Sequence, residues 1–177
     1  MPDWLFTVLF WIGLVVVLGM YVSWRATRLD RLHARADTAR AALDAALVRR
    51  AAVALEMAAS RLLDPATSLV LATAAHEART ADADGREFAE SDLSRALRAV
   101  VEQPDFRRTL ADREDGAALL DELDAAARKV AFARRFHNDA VSATRIARRR
   151  PLIRLLPLAG RAPLPEFFEI DDVAPKA

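Results

Sequence analysis

The chain has no cysteine among its 177 residues, which excludes disulfides, thiolate nucleophiles and thiolate metal sites. It has five glycines, and no Gly-x-Gly-x-x-Gly or Walker segment occurs, so no phosphate-cradling nucleotide loop is expected. Its three histidines are His33, His76 and His137. None has a glutamate three residues before it, the spacing a bundle di-iron centre uses. His76-Glu77 is followed by no second histidine at zincin spacing. The serines lack the context of a nucleophile elbow. Asp121, Glu122 and Asp124 read as a solvated helix face, since nothing suggests the burial that acid–base carboxylates need. No cofactor is expected, and with a net charge of only +1 no nucleic-acid partner is expected either.

What the chain does have is a long uncharged run. Residues 4–24 read WLFTVLFWIGLVVVLGMYVSW. A helix rising about 1.5 Å per residue crosses a hydrocarbon core of about 30 Å in roughly 20 residues. Trp4, Trp11, Tyr21 and Trp24 include aromatics at both ends, the level of the membrane interfaces. The run reads as an uncleaved anchor and not as a signal peptide. Asp3 is the only charged side chain before it, and no Ala-x-Ala follows. Arg25, Arg28, Arg31 and Arg35 come directly after it, and basic flanks stay cytoplasmic. The expected topology is therefore a single pass of the cell membrane, N-terminus outside, with everything after Trp24 inside. Gly13 and Gly19 are not at Gly-x-x-x-Gly spacing, so pairing of spans with a second copy has weak support.

Charge is unevenly distributed. Residues 25–63 hold 8 basic and 4 acidic side chains, residues 64–127 hold 7 and 15, and residues 128–161 hold 10 and 1. Two basic blocks thus bracket an acidic middle. That pattern fits a solvated surface, and it equally fits two basic segments beside an anionic leaflet with the acidic part facing away.

Few glycines, abundant alanine and few β-branched runs point to an all-α chain. The first helix continues out of the span. Its small or apolar positions step through Leu29, Leu32, Ala36, Ala39, Leu43, Ala46, Val53, Met57 and Ser60, with Arg50 interrupting the stripe. Asp64-Pro65 breaks it, with Asp64 as N-cap of a helix over 65–80 that carries Leu69, Val70, Leu71 and Ala75. A turn ends at Gly85. A helix over 86–103 turns Phe88, Leu93, Leu97, Val100 and Val101 inward, and Pro104 ends it. Phe106 and Leu110 suggest a short helical turn, and Asp115-Gly116 marks another break. The last helix, over 117–150, has a seam of Leu119, Leu123, Ala126, Val130, Ala133, His137, Ala140, Thr144 and Ala147, and Pro151 stops it. The expected architecture is an anchor over 1–24, an antiparallel bundle of about four helices over 25–150 with long, coiled-coil-like first and last members, and an irregular Pro-containing tail over 151–177.

Several polar residues stand out within this pattern. His137 falls on the apolar seam, where a buried imidazole must be hydrogen-bonded. His137 and Asn138 form a polar pair that suits either fixing of helix register or a ligand or proton-sensing role. Arg49, Arg50, Arg134 and Arg135 could bind an anion or simply solubilise the surface. Arg148, Arg149 and Arg150 in a row, then Arg154 among apolar residues, mark the segment that opens the tail. They suit either a tail packed on the bundle or contact with the lipid surface.

Together these residues resemble a divergent member of the LemA family, bacterial proteins with an N-terminal transmembrane helix and a soluble α-helical bundle. Glu102, Pro104 and Asp105 match the family's Glu-x-Pro-Asp segment. Arg135, Asn138 and Val141 match its Arg-x-Tyr-Asn-x-x-Val stretch, with His137 at the tyrosine. Pro165, Phe167, Phe168 and Glu169 match the tail, and Arg49-Arg50 the arginine pair of its first long helix. The resemblance implies a bacterial inner membrane and no particular reaction. The expected role is non-enzymatic: a scaffold, interaction or sensing protein whose partners are membrane lipids, an unidentified protein or a second copy of itself. The rival is a membrane-tethered enzyme or small-ligand-binding protein with its site formed between helices.

Overall fold

The computed structural model describes residues 3–149 and 163–172. Among them are five helices and no strand: α1 (Asp3–Ala59), α2 (Pro65–Thr80), α3 (Arg86–Val101), α4 (Phe106–Ala111) and α5 (Glu114–Arg148). The chain is all-α, a helical bundle with a long apolar N-terminal helix. Two compact units share α1 and α5. One comprises Met1–Thr38 with Asp139–Glu166, the other Ala39–Asn138 with Phe167–Ala177.

In the first unit, α1 opens with a stretch that buries nothing. Every side chain from Trp4 to Tyr21 is exposed, and α1 is the one helix among the described residues long and apolar enough to cross a membrane. No proline interrupts it, and nothing lies within 4 Å of a Cβ built at Gly13 or Gly19. Burial begins at Leu29 and continues at Ala36, in step with the stripe that the spacing predicts. The end of α5 runs beside this part of α1. Thr144, fully buried, shares its hydroxyl between the Leu32 carbonyl at 3.3 Å and its own Ala140 carbonyl at 2.8 Å.

In the second unit the stripe becomes a core. Ala39, Leu43, Ala46, Leu47, Val53, Ala54 and Met57 of α1 are all buried. Val53, Ala54 and Met57 pack with Leu71, Leu93, Leu97, Leu110 and Leu123 in one apolar cluster. Leu43, Ala46 and Leu47 pack with Val130 and Phe168 in a second. The α1–α2 break follows the sequence signal. Asp64 Oδ1 accepts the Ala66 and Thr67 amides, each at 3.0 Å, and Pro65 occupies the first turn. Hydrogen bonding from Thr67, hydroxyl first and amide second, holds the Asp64 carboxyl below its ordinary range.

Three expectations need correction. The Asp115-Gly116 pair does not break the chain. The turn falls at Asp112 and Arg113, and α5 already runs through Gly116. Glycine is needed there for closeness, not for a turn: a Cβ would stand 2.3 Å from the Leu110 carbonyl oxygen. The third helix ends at Val101, before Gln103. Phe88 does not turn inward but is 78% exposed. It lies five residues before Leu93, which at 100° per residue places it well off the buried face.

Candidate functional site

The residues singled out by sequence fall into three separate places. The first is the crossing of α1 and α3. Arg50 interrupts the apolar stripe of α1 because it meets an anion that α3 carries on its own buried face. Arg50 Nη2 donates to Glu90 Oε2 at 2.7 Å and to the Glu90 carbonyl at 3.1 Å, and Nη1 donates to Ser94 Oγ at 2.9 Å. Both charges are almost wholly buried, Arg50 at 4% exposure and Glu90 at 1%. Ser94 completes the set by donating to the Glu90 carbonyl at 2.9 Å. Sequence reasoning overlooked Glu90, yet a signal existed. It lies three residues before Leu93 and seven before Leu97, on the stripe that α3 buries.

The second place is the groove between α3 and α5 that receives residues 167–172. This segment is neither helix nor strand, with Phe168 buried and Ile170 packed on the same apolar cluster. Inward residues two apart are the pattern of a strand, although among the described residues there is no sheet partner. Asn138 supplies one instead: its Nδ2 donates to the Phe168 carbonyl at 3.1 Å, and the Phe168 amide donates to its Oδ1 at 2.9 Å. The Arg40 guanidinium stands 5.4 Å from the Phe168 ring centroid. Farther along, the Glu169 amide donates to Glu87 Oε1 at 2.8 Å and the Asp171 amide to Ser91 Oγ at 3.2 Å. Two bidentate pairs close the clamp. Arg134 grips Asp172 at 2.8 and 2.9 Å. Arg98 grips Asp171, whose carboxylate holds that guanidinium above its ordinary pKa.

These two arrangements account for three of the polar candidates. Asn138 and Arg134 hold the tail. Arg50 holds α3. Arg49 is exposed and pairs with Glu122 of α5. Arg135 is exposed, and His137 is buried. Of the four arginines considered as an anion site, Arg49, Arg50 and Arg134 thus serve three different neighbours. Of the three carboxylates read as a solvated face, Asp121 is exposed, Glu122 meets Arg49, and Asp124 is held by Arg107 at 3.0 and 3.1 Å. Hydrogen bonding to Asp124 raises the Arg107 pKa. Among the described residues, no group of three or more histidines and carboxylates is placed to hold a metal ion.

The third place lies in the first unit, just past the apolar run. Arg25 Nε donates to Tyr21 Oη at 3.1 Å, and its guanidinium stands 5.4 Å from the Tyr21 ring and 5.9 Å from the Trp24 ring. Arg28 stands 6.0 Å from the Trp24 ring. Beside them is a groove of about 220 Å³, walled by Leu29 and Leu32 of α1 and by Ala143, Ile146 and Ala147 of α5. Of the α5 arginines, Arg145 donates to the Pro165 carbonyl at 2.9 Å and Arg148 to the Pro163 carbonyl at 3.1 Å, while Arg149 is exposed. Arg150 and Arg154 lie outside the described residues.

The fold and these sites define an all-α bundle protein with one helix able to cross a membrane. No family model matches the chain, and neither a curated protein nor a solved structure matches it.

Proposed function

We propose that this is a single-pass membrane protein of the LemA type. On this proposal α1 anchors the chain with its N-terminus outside, and the bundle works on the cytoplasmic side as a non-enzymatic scaffold or interaction module. One observation carries it. A wholly exposed apolar helix continues without a break into a packed bundle whose singled-out polar side chains mostly engage other groups of the same chain. Residues committed to internal contacts are positioned to hold a shape rather than to meet a substrate. The basic residues at the end of α1's apolar run and at the end of α5 support membrane lipids as one partner.

Fusion of alkaline phosphatase after Ala177 tests the topology: an inactive fusion is expected, and an active one reverses the orientation. In-cell crosslinking, detergent purification and mass spectrometry test the role. A stoichiometric protein partner is expected. Turnover of a small molecule by the purified chain would instead support the enzyme alternative.

A further inference from the structure

The groove beside Arg25 and Arg28 has features that the scaffold role does not use. We propose that it binds the phosphate and glycerol region of one anionic phospholipid, an inference that rests on α1 crossing the membrane. Level is the first argument. Arg25 and Arg28 follow Trp24 by one and four residues, which at about 1.5 Å per residue places them roughly 1.5 and 6 Å past the apolar run. An interfacial layer of about 5–7 Å lies there on each side of the hydrocarbon.

Chemistry is the second argument. Neither Arg25 nor Arg28 has a carboxylate partner among the described residues. Both guanidiniums stand by aromatic rings, and Arg25 is fixed further through its Nε, so its Nη donors are preorganised at little entropic cost. Guanidinium forks match phosphate oxygens in pairs. The walls select the headgroup. Among the described residues, two cations line the groove and no acidic side chain does, so none of them would receive the ammonium of a zwitterionic lipid. The lining is otherwise apolar, from Leu29 at 2% exposure to Ile146 at 60%, and suits a glycerol backbone. Size agrees: about 220 Å³ falls below the roughly 300 Å³ at which pockets for drug-sized ligands begin.

The test uses the full chain reconstituted in vesicles of phosphatidylcholine, with or without phosphatidylglycerol, followed by native mass spectrometry and thermal melting. One retained phosphatidylglycerol per chain and a higher melting temperature in its presence are expected. Arg25→Gln with Arg28→Gln should weaken retention about 25-fold, near fivefold per surface arginine. Arg128→Gln, an exposed arginine elsewhere, should leave it unchanged. If the double variant does not fold, the single Arg28→Gln variant should still show the fivefold loss. Equal retention by the double variant, or equal melting in both vesicles, overturns the proposal. Stabilisation by inorganic phosphate alone in detergent overturns the lipid source. Loss of the chain from phosphatidylcholine vesicles under an alkaline wash sinks the membrane reading itself, and is read without any phosphatidylglycerol.

Discussion

Of the places in the second unit where arginine meets carboxylate, the α1–α3 crossing and the tail groove use the interaction differently. At the α1–α3 crossing, Arg50 and Glu90 are both buried, with three hydrogen bonds from the guanidinium holding them in register. At the tail groove, Arg134 and Asp172 retain 22% and 20% side-chain exposure, and Arg98 and Asp171 retain 20% and 35%. Burial decides what each pair is worth. Desolvating two charges costs about as much as their attraction returns, so a buried pair specifies geometry more than it stabilises, yet removing one partner strands the other. A half-exposed pair keeps part of its hydration and is screened by salt, so its loss costs little. The tail therefore depends on Phe168, and its ion pairs choose where the segment lies.

Breaking the buried pair should give the largest effect. Arg50→Met leaves Glu90 uncompensated and should cost roughly 3–5 kcal/mol in urea unfolding of the detergent-purified chain. Adding Glu90→Leu should recover most of that loss. A double variant as unstable as the single would show that the pair contributes net stability.

Next is the aromatic anchor. Phe168→Ala should cost about 3 kcal/mol, the low end for a buried phenylalanine. Amide exchange should accelerate across residues 167–172 while the α1–α3 crossing keeps its protection. Loss of protection at both would mean that the two regions unfold as one.

The smallest effect is expected at the outer clamp. Arg134→Gln should cost at most about 1 kcal/mol at low salt and nothing measurable at molar salt. An effect independent of salt would place this pair with the buried one. Hydrogen bonding to Asp171 holds Arg98 above its ordinary pKa. Its raised pKa contributes stability that is present below the ordinary arginine value and lost only as pH rises through the raised one. Its own titration therefore leaves the clamp unchanged across the neutral range.

Much of the fold was legible because helix signals are local. Asp64 and Pro65 are adjacent to the helix they start, and α2 covers the expected 65–80. The three-four stripe of α1 names its buried face, and Thr144 lies buried on the α5 seam where the spacing puts it. Gly116 misled because a glycine after an aspartate signals a turn, whereas here it admits the Leu110 carbonyl. Phe88 misled because a large apolar side chain was assigned inward by type instead of by its angle around the helix.

The composition and spacing of the chain determined that it would be helical, that its first helix would give way to a second at Asp64-Pro65, and that one stretch could cross a membrane. Each of these depends on residues within a few positions of one another. Tertiary structure alone decided that Arg50 would meet Glu90, 40 residues away, and that Asn138 would hold the backbone of Phe168, 30 residues away. The physical reason is that helical periodicity reveals which face is buried but not which face lies opposite. A polar residue on a buried stripe announces the need for a partner, and only the packing of helices supplies one.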